Sequence, residues 1–421
     1  MTAAADVARI PPQPWMQEQS TRALLGALAA AAIEARFVGG CVRDALLGRD
    51  IADIDLATPA LPDEVADALG KAGIKAVPTG IEHGTITAVI PPRHYEITTL
   101  RRDVETFGRR AKVAFDADWT ADAARRDFTI NAIYLDADGT VHDPVAGLAD
   151  LAAHRVRFVG DAATRIAEDL LRVMRYYRFE ARFGSGGGDA AARAACRAAA
   201  SKLSKLSAER IQQELLRLLA VRNPVQALHH MSDDGVLGAL LPEATRLDRL
   251  TRLIALEQPE GSDPLLRLAA LLGVDPAGAG AVAERLHLSN AQRERLIGLV
   301  PPWPFDPNAG SKAQRMALYR LEAALYGDLV LLMAAEGDID ATRLAELRAL
   351  ANSWEAPAFP LRGRDVTALG VPPGRQVGIL LAVMQQWWEE GDFSAGRLDC
   401  LARLRELVAS APPDREVIAR S

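Results

Sequence analysis

The spacing of apolar residues divides the chain in two. Up to about residue 157 the period changes every few residues; beyond residue 160 it becomes helical and stays so. "ARFVGG" is a short apolar run ending in glycines, which predicts a buried strand entering a turn. "CVRDALLG" has helical spacing with Gly48 as its stop, and "IADIDLAT" alternates as a strand does. "LPDEVADALGKAG" predicts a helix with Pro62 in its first turn and Gly70 near its end. "GTITAVI" and "HYEITTL" predict paired strands, and "NAIYLDADGTVHDP" a hairpin turning at Asp-Gly.

In the second part, "TRIAEDLLRVMRYYRFEARFG" predicts one long helix ending at Gly184, with "GSGGGD" as a flexible junction. "SAERIQQELLRLLA" follows with Ser207 as N-cap, and further helices are separated by Pro/Gly breaks. No fixed-period repeat is present. The expected fold class is α+β: an N-terminal helix (1–35), a mixed head (36–157), a helical neck (158–225) and a helical body and tail (226–421).

A length of 421 residues suits two to four domains. The formal charge of −6 shows no whole-chain affinity for nucleic acid, so a basic surface must be local. One such stretch exists, since residues 155–217 hold about twice as many Arg and Lys as Asp and Glu. Cys41, Cys196 and Cys400 are odd in number and lie far apart, which fits a reducing cytoplasm rather than a disulfide framework or zinc site. "RALLGALAAAAIEARF" has the length of a signal core, but Asp6 and Glu18 precede it, so an amphipathic helix is expected. No apolar run reaches the ~20 residues of a membrane span.

Chemistry concentrates in "GGCVRDALLGRDIADIDLATP". On a strand Asp53 and Asp55 project to one side while Ile54 and Leu56 face the core. Two adjacent carboxylates either decorate a solvated strand or hold a hard cation such as Mg²⁺, which also takes triphosphate oxygens. Gly39 and Gly40 allow close approach of a ligand to the backbone, and Arg43 in the following helical turn can pair with a phosphate oxygen. Further on, Asp169, Arg172, Arg175 and Arg178 step by three along the predicted helix, opposite Leu170, Leu171, Val173 and Met174. That polar stripe faces either solvent or a cleft.

"FVGGCVRDALLGRDIADIDLATPALPDEV" and "RRDFTINAIY" resemble the signature motifs of the class II tRNA nucleotidyltransferases and bacterial poly(A) polymerases, of the polymerase-β type. The resemblance implies that Asp53 and Asp55 bind catalytic Mg²⁺, with Glu96 as third carboxylate. It implies that Gly40, Arg43 and Arg126 hold the incoming nucleotide, that Asp127 accepts from the ribose, and that Asn131 braces this element. The "EDxxRxxR" stretch is similar to the family's protein template. Asp169 would accept from the exocyclic amine of C or A and Arg172 donate to the adjacent ring nitrogen, with Arg175 and Arg178 in support. U and G offer the opposite pattern and would be rejected.

The resemblance extends to the neck motif "LSAERIQQEL" and to the tail "LRGRDVTALGVPPGRQVGILLAVMQQWW", which the family applies to tRNA. "LRRDVETFGRRAKVAFDADWTADA" resembles the flexible loop of enzymes that add all three nucleotides, although Phe107 stands where a polar residue is usual. His229 and His230 are followed by Met and Ser, so no phosphohydrolase domain is expected. The expected activity is addition of C, C and A to the tRNA 3′ end from CTP and ATP by two-metal phosphoryl transfer. Poly(A) synthesis, partial addition and non-catalytic RNA binding are the alternatives. DNA, a membrane and an obligate protein partner are not expected.

Overall fold

The computed structural model describes residues 9–80, 84–107, 110–115, 117–257 and 261–410. It forms two compact units. The first comprises Met1–Leu247, Gln258–Gly273 and Ala281–Ser289; the second comprises Asp248–Glu257, Val274–Gly280 and Asn290–Ser421.

The first unit begins with helices α1 (Pro14–Gln17) and α2 (Gln19–Ala30), and α2 buries Leu24, Ala27 and Leu28 as an amphipathic helix should. Strand β1 (Arg36–Val38) runs into Gly39, whose φ of 77° favours glycine, and helix α3 (Gly40–Leu46) starts at once. Gly48, at φ 64°, ends that helical turn. Next come β2 (Ile54–Thr58), α4 (Pro62–Lys71), β3 (Lys75–Gly80), β4 (Thr85–Ile90) and β5 (Arg93–Thr99). The ribbon β6 (Arg101–Phe107) and β7 (Arg110–Phe115) stands where a loop was expected; the Phe107 side chain lies outside the described residues. Helix α5 (Trp119–Arg125), a 3₁₀ turn (Thr129–Asn131), the hairpin β8 (Tyr134–Leu135) and β9 (Val141–His142), and α6 (Gly147–Ala152) complete the head.

Seven of these strands form one sheet in the order β3-β4-β5-β2-β1-β8-β9, with only β2 and β5 parallel. Its mixed character, beside a largely helical remainder, is the α+β arrangement expected. Val38, Ala57, Leu100, Ala132 and Tyr134 build part of the core beneath it.

The neck departs from expectation at one position. Instead of a single helix there are two, α7 (Ala162–Glu168) and α8 (Leu171–Phe183), divided at Asp169 with φ −150° and ψ 110°. The Asp169 carboxylate accepts from the Leu171 N–H at 3.0 Å, so this side chain offers the backbone an alternative to helix continuation. The apolar period runs through the break undisturbed, which is why spacing alone conceals it.

The glycine-rich segment is also not the loose junction expected. Glu180, buried on α8, accepts from the Gly188 N–H, Tyr176 Oη accepts from the Asp189 N–H, and the Ser185 N–H donates to the His154 carbonyl. A Cβ on Gly184 would lie 2.3 Å from the Glu180 carboxyl carbon, so the glycine makes room for that buried acid. Helices α9 (Ala190–Ala199) and α10 (Ala208–Leu219) follow; Ser207 occupies the N-cap of α10 but makes no side-chain capping bond. Helices α11 (Val225–Asp233) and α12 (Val236–Leu240) come next.

The second unit is helical among its described residues. One of its cores surrounds Tyr326, Val330 and Leu347; another surrounds Trp388, Cys400 and Leu404. Its helix Ser311–Glu336 is kinked at Glu322, where φ is 63°. The tail stretch folds as Gly363–Thr367, a turn through Gly370 and Gly374, and Arg375–Glu390. No helix among the described residues is long and apolar enough to cross a membrane.

Candidate active site

The carboxylates owe their proximity to strand register. Asp53 is exposed and immediately precedes β2, Asp55 is half-buried within it, and Glu96 on parallel β5 is the direct partner of Asp55. Burial, then the Glu96 and Asp53 charges, push the Asp55 carboxyl up to about 6 despite the opposing pull of Arg126. Negative charge is thus incompletely compensated here. Among the described residues no three acidic, His or Cys side chains already converge as a finished metal cage. The donors are hard oxygens with unrelieved charge, and that chemistry suits Mg²⁺.

The glycine turn and Arg126 meet these carboxylates. A Cβ on Gly39 would sit 3.7 Å from Asp55 Oδ2 and 4.0 Å from Arg126 Nη1. Arg126 is aimed by Asp122, whose Oδ2 accepts from its Nη2 at 2.9 Å and from Tyr134 Oη at 2.7 Å. Burial lowers the Arg126 pKa, but Asp122 and Tyr134 more than offset this and the net shift is upward.

The structure places Arg43 behind the turn. It is only 5% exposed, donates to Asn131 Oδ1 at 2.6 Å and Asp44 Oδ1 at 2.9 Å, and lies 4.0 Å from the Phe183 ring centroid. Asn131 in turn donates to Asp127 Oδ1 at 3.2 Å, and Arg175 Nε donates to Asp127 Oδ2 at 2.8 Å. One hydrogen-bonded chain therefore links α3, the 3₁₀ turn and α8. Asp127 also accepts from the Phe128 N–H and a second Arg175 nitrogen, which fills its roughly four acceptor sites. A ribose hydroxyl would have to displace one of them. Burial raises the Asp127 pKa, but Arg175 outweighs it and the carboxyl is held below its usual value.

Asp169 lies at the α7–α8 break, not on a helical stripe. Arg210 of α10 donates to its Oδ2 at 2.6 Å. Arg172 bonds through Nη1 to Glu168 and to the Arg165 carbonyl at 2.9 Å; its Nε and Nη2 make no bond among the described residues. Arg178 donates to Glu214 at 2.6 Å. Arg210, Glu168, Asp122 and Glu214 were not singled out from the sequence. The i, i+4 spacing of Arg210 and Glu214 in "SAERIQQEL" was the available signal, since it sets both on one helical face.

The mixed sheet, its paired carboxylates and the helical remainder define a polymerase-β-type nucleotidyltransferase. Residues 35–157 match the family described as Poly A polymerase head domain, and residues 189–247 match the one described as Probable RNA and SrmB- binding site of polymerase A. The chain is 32% identical to the CCA tRNA nucleotidyltransferase 1, mitochondrial, of Danio rerio, over 89% of this chain and 87% of the relative. It is also 32% identical to the CCA-adding enzyme of Limosilactobacillus fermentum, over 93% and 97% of the two chains. The crystal structure of the Bacillus stearothermophilus CCA-adding enzyme in complex with CTP superposes with a TM-score of 0.76 at 28% identity, covering 94% of this chain and 98% of that one. This chain belongs to the CCA-adding tRNA nucleotidyltransferase family.

Proposed function

We propose that this enzyme adds C, C and A in turn to the tRNA 3′ end from CTP and ATP, with Mg²⁺ as its cofactor. The observation that carries this reading is the pairing of Asp55 with Glu96 across parallel strands, beside Asp53, the glycine turn and Arg126. Asp53 and Asp55, with Glu96 adjoining, would hold Mg²⁺, which when bound supplies charge neutralisation at the triphosphate and the attacking oxygen. In the transfer the RNA 3′-oxygen bonds to the α-phosphorus, the α–β bridging bond breaks, and pyrophosphate leaves. The hydroxyl proton passes to the carboxylate cluster. Arg126, preset by Asp122, donates to phosphate oxygens without having to reorganise. The Gly39–Gly40 turn carries no side chains and would let the nucleotide approach the backbone closely, and Arg43, Asn131 and Asp127 fix the turn relative to Arg175 on α8.

Selection of C and A falls to Asp169 and Arg172. Asp169 retains acceptor capacity beside its bonds to Leu171 and Arg210, and Arg172 retains Nε and Nη2 as donors. The three cysteines are all buried and unpaired, in keeping with action in the cytoplasm. Similarity to CCA-adding relatives over 89% and 93% of this chain favours this reading over poly(A) synthesis, which shares the head. The direct test uses tRNAs ending before CCA, after C and after CC, each with Mg²⁺ and with CTP and ATP separately and together. Stepwise completion to CCA is expected. Long A tracts on unrelated RNA would overturn the assignment.

A further inference from the structure

The junction between α1 and α2 lies outside the matched residues 35–157, yet it is tied to the carboxylate site. Glu18 stands at that junction as the N-cap residue of α2. Its two carboxylate oxygens accept from Arg93 Nε at 2.5 Å and Nη2 at 2.6 Å, a forked pairing that spares Nη1. Nη1 donates to the Ala52 carbonyl at 3.3 Å. That carbonyl belongs to the planar peptide joining Ala52 to Asp53, so the guanidinium holds the plane from which the Asp53 residue departs.

Strand pairing begins with Ile54 opposite Tyr95, so Ala52 and Asp53 lie just beyond the ladder. The same register carried two residues back sets Arg93 beside Ala52, and its side chain takes over where backbone pairing stops. Outside the ladder, this is the one hydrogen bond made to any of residues 50–53 among the described residues. An exposed carboxylate at the loose end of a strand loses conformational freedom on capturing a cation. Ordering its peptide beforehand reduces that cost.

Attachment of the N-terminal helices does not account for the arrangement. Tyr95 Oη donates to Ser20 Oγ at 2.9 Å and lies 2.9 Å from Thr21 Oγ1. Trp15 packs edge-on against Phe37 with ring centroids 4.7 Å apart, and Leu24 and Leu28 are buried. These contacts already fasten α1 and α2 to the sheet, and none of them needs the bond to Ala52. Because Glu18 neutralises Arg93, the guanidinium orders the chain without offering Asp53 a rival to the cation.

We propose that Arg93, held by Glu18, is a positioning residue for Asp53, so that a segment outside the catalytic motifs sets the affinity of the site for Mg²⁺. The inference rests on the proposed metal role of Asp53. The test titrates Mn²⁺, as the metal alone, into the full chain and follows water-proton relaxation, which reports the protein-bound ion. Arg93→Met should bind Mn²⁺ about tenfold more weakly, as when other partners that orient a metal ligand are lost. Arg93→Lys should fall between, since an ammonium lacks the fork that reaches Glu18 and Ala52 together. Glu18→Gln keeps the shape of the junction and gives the same reading should Arg93→Met fold poorly. In CTP addition the Mg²⁺ requirement should rise by a similar factor, with kcat restored at high Mg²⁺ and the preference for CTP over UTP unchanged.

Asp53→Ala is the reference. Since Arg93 acts through Asp53, adding Arg93→Met to Asp53→Ala should weaken Mn²⁺ binding no further. A merely structural Arg93 would lower Tm and leave Mn²⁺ affinity as in the wild type. That result, or additive losses in the double variant, would overturn the proposal while the metal role of Asp53 stood. Mn²⁺ affinity unchanged by Asp53→Ala would sink that metal role and this inference with it. Wild-type protein that shows the expected Mn²⁺ behaviour yet adds no CCA would sink the proposed activity alone.

Discussion

Arg210 on α10 donates to Asp169 at 2.6 Å, across the break between α7 and α8. Asp169 belongs to neither helix, so its aim is set by this bond and by the Leu171 N–H. Truncation to Arg210→Ala removes a charge-assisted bond worth about 1.5 kcal/mol of positioning. Discrimination of CTP against UTP, measured as the ratio of kcat/KM, should fall about tenfold, with Arg210→Lys intermediate. An unchanged ratio would show that Asp169 is held from elsewhere or does not read the base.

The raised Asp55 pKa predicts a conflict between stability and function. Its folded value of about 6 exceeds the ordinary aspartate value of 3.8, so the folded state takes up a proton between these limits. The associated stability is present below the unfolded value and lost as pH rises through 6. With chelator present, Asp55→Asn should therefore raise Tm at pH 7.5, by up to about 3 kcal/mol of stability. The gain should shrink toward pH 5 and vanish near pH 4, while nucleotidyl transfer is abolished. Equal Tm for variant and wild type at pH 7.5 would contradict the charge crowding.

Asp127 satisfies Arg175, and each is half-buried or deeper. Asp127→Ala leaves a guanidinium whose other acid, Glu214, is 3.9 Å away. A loss of about 2 kcal/mol is expected, below the range for fully buried pairs because Arg175 is 31% exposed. Urea unfolding of Asp127→Ala, Arg175→Met and the double variant gives the coupling. Strict additivity would mean the pair contributes nothing.

Gly184→Ala should be costly although φ there is −75°, which any residue adopts. The added methyl displaces the Glu180 carboxylate and with it the bond from Gly188. About 1–3 kcal/mol should be lost in urea unfolding, as for other overpacked positions. The companion Glu180→Ala/Gly184→Ala should show non-additive recovery of the clash component.

How much was legible depended on range. Alternation exposed β2, β4 and β5, and the glycine stops exposed α3, because those signals are local. The family resemblance offers Glu96 as a third carboxylate, and strand register sets it directly beside Asp55. The β6–β7 ribbon was missed because its charged sequence offers no apolar stripe to count. Asp169 was placed on a helix because the apolar period does not register a capping side chain, although Asp before an apolar run is itself a start signal. Pairings such as Asp169 with Arg210 or Arg126 with Asp122 are tertiary or depend on rotamer choice. Periodicity can offer both partners as exposed charge but cannot join them.

The parallel neighbouring of β2 and β5 has an evolutionary consequence. Asp55 and Glu96 are adjacent in space, yet α4, β3 and β4 intervene in sequence. Insertions in the turns of that excursion can lengthen the head without moving either carboxylate. A single-residue insertion inside β2 or β5 would turn the carboxylate toward the core and bring an apolar side chain into its place. The head can thus grow by tens of residues along one stretch of chain, but a shift of one residue in either of two short strands would silence it.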